Sequence, residues 1–97
     1  MPEYRLSLSA DADIADYTIK TVGIEQAHSY RDGLERSFQM LAEYPMRGRS
    51  AAQLWPGLRR WEYESHVIFY VSDEQGVLIA RVLHNRMDFE RHAMGDD

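Results

Sequence analysis

The residues best suited to chemistry lie in the second half of the chain. Glu62 offers a carboxylate and His84 a group that titrates near neutral pH. Acid–base cleavage of RNA needs a base, an acid and a cation for the scissile phosphate, and Arg59, Arg60 or Arg81 could supply the cation. These residues fall on neighbouring predicted strands, so they could converge on one face. The competing interpretation, which we favour, is that Glu62 and the arginines form cross-strand charge pairs on a solvated face.

Other kinds of reactive site have weaker support. The sequence has no cysteine and no Gly-x-Ser-x-Gly motif, and Ser65 lies beside His66 in a predicted hairpin turn. His84 and His92 are eight residues apart with Asp88 between them, but a metal site needs several convergent ligands and this spacing matches no ligand motif. We therefore predict neither a catalytic nucleophile nor a metal site, and no cofactor.

Size and charge limit the classes of function. The chain of 97 residues is long enough for one domain, to which we assign residues 1–97. Its net charge of −5 argues against direct nucleic-acid binding. Lys20 is the one lysine among 11 basic residues, and this arginine bias fits either a recognition surface or GC-rich coding. The sequence has no signal peptide and no apolar run of roughly 20 residues, so we predict a cytoplasmic protein without a membrane segment.

Three runs in the second half predict the sheet. The first, residues 58–63, alternates in character, whereas residues 66–71 and 77–84 are apolar runs rich in β-branched and aromatic side chains. Polar turn residues separate them at 64–65 and 73–76. This pattern is typical of an antiparallel meander, which needs a cover on its apolar face to be stable.

The first half supplies that cover. Alternation over residues 4–9 predicts a first strand, and Ser9 or Asp11 is then expected to cap a helix that ends at Gly23. A second helix is predicted over residues 24–44, because apolar side chains recur there at steps of three and four before Pro45. The predicted fold is α+β. A strand and an αα-hairpin precede three strands (β-α-α-β-β-β), and the hairpin packs on a four-stranded antiparallel sheet.

Two further segments complete the predicted chain. Residues 46–57 have no clear period and are predicted to form an ordered loop with a helical turn at 51–54, in which Trp55 is expected to be buried. After His84, Asp88 can cap a short C-terminal helix or tail that reaches Ala93.

Several motifs together give the chain a family resemblance. They are LAEYP at 41–45, GR at 48–49, PGLRR at 56–60, SHVIFY at 65–70 and RVLHNRMD at 81–88. In this order and register the chain resembles the ParE toxins of the RelE/ParE superfamily over nearly its whole length. The resemblance implies a helical hairpin on a curved antiparallel sheet. It also implies a toxin that blocks DNA gyrase and forms a hetero-oligomer with a ParD-type antitoxin, whose partly helical tail wraps around it.

The resemblance and the residue types suggest two binding surfaces. The arginine-rich strands and the tail are expected to bind the target through Arg59, Arg60, Arg81, His84, Arg86, Met87, Asp88 and Arg91. The helical hairpin and the adjoining sheet edge are expected to bind the antitoxin, because the hairpin has more apolar residues than one stripe can bury. The candidates for that contact are Tyr17, Tyr30, Arg36, Phe38, Met40 and Tyr44.

The runner-up function comes from a neighbouring branch of the superfamily. The RelE and YoeB toxins are ribosome-dependent mRNA endonucleases, and Glu62, Arg81 and His84 could match the YoeB set. The sequence departs from that set because Asn85 follows His84 and no tyrosine occurs after Tyr70. It also lacks the lysines of RelE, so the gyrase-directed function is preferred. A plain interaction domain without toxicity is the third alternative.

Overall fold

The computed structural model describes residues 3–20 and 24–85. Its elements are β1 (Tyr4–Leu6), α1 (Leu8–Lys20), α2 (Ile24–Glu43), β2 (Arg49–Ser50), β3 (Arg59–Tyr63), β4 (His66–Asp73) and β5 (Gly76–His84). All five strands belong to one sheet in the order β1-β5-β4-β3-β2. The predicted C-terminal helix lies outside the described residues, as does the predicted end of α1 at Gly23.

The meander is confirmed, whereas the predicted sheet needs two corrections. β3, β4 and β5 pair in antiparallel order, with a bulge between Phe69 and Tyr70. However, β1 runs parallel to β5, and the two-residue β2 adds a fifth strand at the edge of β3. The sheet is therefore mixed. Alternation indicates that a strand has a buried face but does not give its direction, and two residues are too few to show a period.

The helical cover lies on the predicted face. Leu34, Phe38 and Leu41 of α2 are at most 1% exposed and belong to the same core cluster as Ala10 and Ile14 of α1. The sheet side of this cluster includes Ile68, Tyr70, Val77, Ile79 and Val82. The apolar stripe of α2 thus packs as its spacing predicts.

The opposite face of the sheet has a smaller core of its own. Val67, Phe69 and Leu83 pack there against Ala51 and Leu58 from the connection between β2 and β3. The predicted turn is present, since the Leu54 amide donates to the Ala51 carbonyl at 2.9 Å. The expectation that Trp55 is buried is wrong, because its side chain is 47% exposed. The partly buried Leu54 packs on this cluster.

The beginning of α1 also differs from the prediction. The strand ends at Leu6, and α1 starts at Leu8, whose side chain is 91% exposed. The cap is Ser7 rather than Ser9 or Asp11. Its hydroxyl accepts a hydrogen bond from the Ala10 amide at 2.9 Å and donates to the Ala80 carbonyl at 2.7 Å. Because one serine caps the helix and binds the sheet, capping outweighs the alternation that would place Leu8 in a strand.

A buried tyrosine fixes the path from α2 to the sheet. The Tyr70 hydroxyl donates to the Pro45 carbonyl at 2.7 Å and accepts from the Gly48 amide at 3.0 Å. Tyr70 is 0% exposed, and burial raises the pKa of its hydroxyl. Residues 45–48 therefore meet the sheet through two hydrogen bonds to one side chain.

Candidate protein-binding surfaces

The predicted acid–base set does not converge. Across β3, β4 and β5, Tyr63 lies opposite His66 and His66 opposite His84, whereas Glu62 lies in the next row with Val67 and Leu83. Adjacent rows of a sheet point their side chains to opposite faces. His84 is therefore on the helix-covered face and Glu62 on the other. The disfavoured alternative, in which Glu62, Arg81 and His84 converge on one face, is therefore wrong.

Glu62 instead takes part in the cross-strand charge pair that the sequence favours. Its Oε2 accepts hydrogen bonds from Nη2 of Arg49 on β2 and Nη2 of Arg60 on β3, both at 3.1 Å. The Arg60 guanidinium also lies over the Phe69 ring, 6.0 Å from its centroid. Because the Glu62 side chain is 57% exposed, these pairs add little stability and leave a polar surface at the sheet edge.

Arg81 is bound within the fold. Its Nε and Nη2 donate to the two carboxylate oxygens of Asp13 on α1, each at 2.9 Å. Asp13 Oδ2 also accepts a hydrogen bond from the Val82 amide at 3.0 Å. Val82 lies on β5 past Ile79, the last residue of that strand that pairs with β1. The two side chains are only 22% and 14% exposed. The sequence analysis did not identify this role of Asp13. The available signal was an aspartate directly before the apolar Ile14 in the predicted first helix.

His84 belongs to a cluster of two histidines and two tyrosines, Tyr30, Tyr63, His66 and His84, which we call the histidine–tyrosine cluster. The Tyr30 hydroxyl and His66 Nδ1 share a hydrogen bond that joins α2 to β4. Ring centroids are 5.3 Å apart for Tyr30–His66 and Tyr30–Tyr63, and 5.4 Å apart for His66–His84. Sequence reasoning did not assign His66 a role, although its register opposite His84 was implied by the hairpin.

The stability of the fold is expected to depend on pH through His66. This side chain is 5% exposed, and burial and then the neighbouring His84 lower its pKa from the usual 6.5, while Asp13 opposes the shift. The unfolded chain therefore binds more protons as the pH falls through 6.5, and the free energy of unfolding falls with it. Urea unfolding of the native chain and of His66→Gln, from about pH 8 to about pH 5.5, measures this effect. The variant should have the shallower profile, and parallel profiles would contradict the assignment.

The other predicted target-binding residues are only partly placed. Arg59 is half-buried at the start of β3, opposite Ser50 and Tyr70. Arg86, Met87, Asp88 and Arg91 lie outside the described residues.

The predicted antitoxin-binding residues have different environments. Arg36 is exposed, Met40 is half-buried, and Tyr44 is 56% exposed with the Arg47 guanidinium 5.2 Å above its ring centroid. Phe38 is 1% exposed and packs on Tyr4 in the core, so it presents no docking surface. Tyr30 lies in the histidine–tyrosine cluster. The side chain of Tyr17 lies outside the described part.

A groove runs between α2 and β3, and we call it the α2–β3 groove. It has a volume of about 450 Å³ and is lined by Gly33, Arg36, Ser37, Met40, Arg47, Trp61, Glu62, Tyr63 and Glu64. A neighbouring pocket of about 440 Å³ shares three of these residues and adds two arginines; it is lined by Arg47, Arg49, Arg60, Trp61 and Glu62. We call it the arginine pocket. The two cavities make this edge a concave surface with both cationic and apolar walls.

Among the residues that the structure describes, no group of three or more histidine, aspartate or glutamate side chains could hold a metal ion. Neither of the two described helices has both the length and the apolar character to cross a membrane.

Comparison of the whole sequence with known proteins gives consistent matches. A family model described as the ParE toxin of the type II toxin–antitoxin system parDE matches residues 4–89. Toxin ParE1 of Caulobacter vibrioides is 40% identical over 95 residues, which cover 95% of this chain and 98% of that protein. Toxin ParE1 of Mycobacterium tuberculosis H37Rv is 37% identical over 93 residues, which cover 92% of this chain and 95% of that protein.

A solved structure supports the fold. The protein described as the chromosomal ParDE TA system from P. aeruginosa superimposes with a TM-score of 0.68 at 18% identity, over 87% of this chain and 96% of that one. At that identity the likeness concerns the arrangement of two helices on a mixed sheet.

Proposed function

The chain belongs to the ParE toxin family of type II toxin–antitoxin systems, and we propose that it inhibits DNA gyrase by protein–protein contact and is neutralised by a ParD-type antitoxin. The family match over residues 4–89 carries this proposal. We place the protein in the cytoplasm, where gyrase acts, and propose that it works without breaking a covalent bond.

The geometry supports a binding function over catalysis on RNA. Glu62 and His84 point to opposite faces of the sheet, and the Arg81 guanidinium is held by Asp13. A general acid and base must both reach the scissile bond, and residues on opposite faces do not. The proposed target-binding residues remain Arg59, Arg60, Arg81, His84, Arg86, Met87, Asp88 and Arg91. Among the described ones, Arg60 and Arg81 lie in one row across the sheet with Phe69 between them.

For the antitoxin we propose the exposed side of α2 together with the α2–β3 groove. Arg36 and Met40 line this groove, and Tyr44 follows at the end of the helix. The P. aeruginosa structure of the same fold is described as a ParDE system, which supports a ParD-type partner. Phe38 leaves the proposed set because it is buried.

A supercoiling assay tests the proposal. Purified toxin at micromolar concentration is expected to stop gyrase from supercoiling relaxed plasmid, and an equimolar ParD-type antitoxin should restore the activity. Arg60→Ala should weaken inhibition roughly tenfold, because an arginine at the centre of an interface contributes on the order of 1–2 kcal/mol. Arg5→Ala is the matched control, since Arg5 lies on β1 at the opposite edge of the sheet. Full gyrase activity in the presence of the native toxin would refute the proposal.

The endonuclease alternative has a separate test. Primer extension on mRNA after induction of the toxin would reveal new 5′ ends if the chain cut transcripts. We expect none. New ends that disappear in His84→Ala, while the folded content of the variant is unchanged, would establish the alternative.

A further inference from the structure

The outer edge of β1 has backbone groups without a hydrogen-bond partner. β1 lies at one end of the sheet and runs parallel to β5, its one neighbour. The carbonyl of Glu3 and the amide of Ser7 both bond to β5, at 3.0 Å. Because alternate residues of a strand turn their backbone groups to the same side, Tyr4 and Leu6 turn theirs away from β5. Within residues 3–20 and 24–85, no hydrogen bond involves these outward groups, so the edge is a template for an added strand.

The side chains of β1 give this edge two opposite charges. Tyr4 and Leu6 are half-buried and pack on the core under the helices. Glu3 and Arg5 alternate with them, so both charged side chains lie on the other face, and both are exposed. Arg5 forms an ion pair with Asp73 at the end of β4. An edge with an acid and a base two positions apart is complementary to a reversed copy of itself.

Charge selects one register for such a self-pairing. Two β1 strands related by a two-fold axis can place Tyr4 opposite Leu6, but Arg5 then faces the Arg5 of the other copy and the like charges repel. Placing Tyr4 opposite Tyr4 instead brings Arg5 opposite Glu3 twice. Since the tyrosine positions form the hydrogen-bonded pair, the charged residues form the neighbouring pair, in which side chains approach most closely. A register with Leu6 opposite Leu6 would need Leu8 in the strand, whereas Leu8 begins α1.

We propose that the chain forms a two-fold dimer in which β1 pairs antiparallel with β1 of a second copy, with Tyr4 opposite Tyr4 and Glu3 opposite Arg5. The interface is isologous, and the two five-stranded sheets become one continuous sheet. Pro2 has no amide to donate, so the added ladder is short and the dimer is weak and reversible. The β3 edge of each copy lies at the far end of the joined sheet, so this inference does not depend on the proposed gyrase or antitoxin contacts.

Two charge reversals test the register. In a homodimer, Glu3→Arg places arginine opposite arginine and Arg5→Glu places glutamate opposite glutamate, so each change alone should raise the dimer Kd at least about tenfold. An equimolar mixture of the two variants restores both opposite-charge pairs. The mixed dimer should therefore form with a Kd within about threefold of the native one. Sedimentation equilibrium of the full-length chain, from about 1 μM to about 1 mM, measures each Kd.

A control variant and a backbone measurement accompany this test. Glu74→Arg makes the same change of charge in the exposed turn between β4 and β5, and it should leave the dimer Kd unchanged. Amide exchange followed by NMR should show the Tyr4 amide protected at high protein concentration and unprotected on dilution. The Val77 amide is the internal reference, because it donates to the Glu3 carbonyl within one chain and should be protected at both concentrations.

Each outcome supports or overturns the dimer. Recovery of the dimer in the mixture supports it and also shows that both variants are folded. A native chain that stays monomeric up to about 1 mM overturns it, and Glu3 and Arg5 then only shield the edge from other strands. A dimer that neither charge reversal weakens, or a mixture that associates no better than its components, overturns it as well, because association then uses another surface or register. The supercoiling assay tests the proposed function separately.

Discussion

Asp13→Ala is expected to lower the free energy of unfolding by about 3 kcal/mol, a large fraction of the stability of a domain this small. The substitution removes three hydrogen bonds at once, two from Arg81 and one from the Val82 amide. It also leaves a mostly buried guanidinium without its carboxylate, and such a charge is more destabilising than a pair that is absent altogether. Urea unfolding at neutral pH, followed by circular dichroism, measures the change.

Asp11→Ala is the matched control. Asp11 lies on the same helix, in its first turn, and is exposed. Its removal weakens only the interaction with the helix dipole, which is worth less than about 1 kcal/mol. Equal effects of the two substitutions would show that the Asp13–Arg81 pair contributes nothing beyond its charge.

This pair also affects how a toxicity screen is interpreted. Arg81 is a proposed target-binding residue, yet its guanidinium is bound to α1. A loss of toxicity in an Arg81 variant could therefore reflect unfolding. Comparison with Asp13→Ala resolves the question, because both substitutions break the same ion pair. If Arg81 contacts gyrase directly, the Arg81 variant should inhibit gyrase less than Asp13→Ala does at the same loss of stability.

The elements with strong local patterns were predictable from the sequence. The predicted bounds of the three meander strands differ only slightly from the observed ones, because β-branched runs between polar turns define both the number and the order of these strands. The predicted second helix, residues 24–44, corresponds to α2 within one residue, because its apolar stripe is long and Pro45 ends it. Where local propensity and tertiary packing favour the same structure, one sequence is enough.

The features that the sequence did not reveal arise from contacts between distant residues. The parallel direction of β1 depends on its register with Val77, more than 70 positions later. The cap at Ser7 is reinforced by Ala80, which lies 73 residues away. The second core, on the face of the sheet opposite the helices, depends on Leu58 and Ala51 packing against Phe69. No periodicity within a segment encodes these contacts.

In the candidate site, too, contacts between adjacent strands were predictable and contacts that depend on register or on distant residues were not. The charge pair of Glu62 with neighbouring arginines was predictable because it involves adjacent strands. The separation of Glu62 from His84 follows from register, since a shift of one residue moves a side chain to the other face. The Tyr30–His66 hydrogen bond joins a helix to a strand 36 residues away, so it became visible only in the fold.

Gly48→Ala is expected to destabilise the fold by roughly 2–3 kcal/mol through overpacking. A Cβ at this position would lie 2.4 Å from the Tyr70 hydroxyl oxygen and 2.7 Å from the Arg60 carbonyl oxygen. Neither atom can move easily, because one belongs to a fully buried side chain and the other to the backbone of β3. Thermal and urea unfolding should both show the loss, whereas Gln53→Ala in the exposed turn nearby should change little.

A double-mutant cycle with Tyr70→Phe identifies the cause. Tyr70→Phe alone should destabilise by about 1–2 kcal/mol, because it removes the hydrogen bonds to the Pro45 carbonyl and the Gly48 amide. In the double variant the hydroxyl that the new methyl group meets is gone, so the total loss should be smaller than the sum of the two single losses. Strict additivity would mean that the hydroxyl does not contribute to the clash and that contact with the Arg60 carbonyl alone destabilises Gly48→Ala.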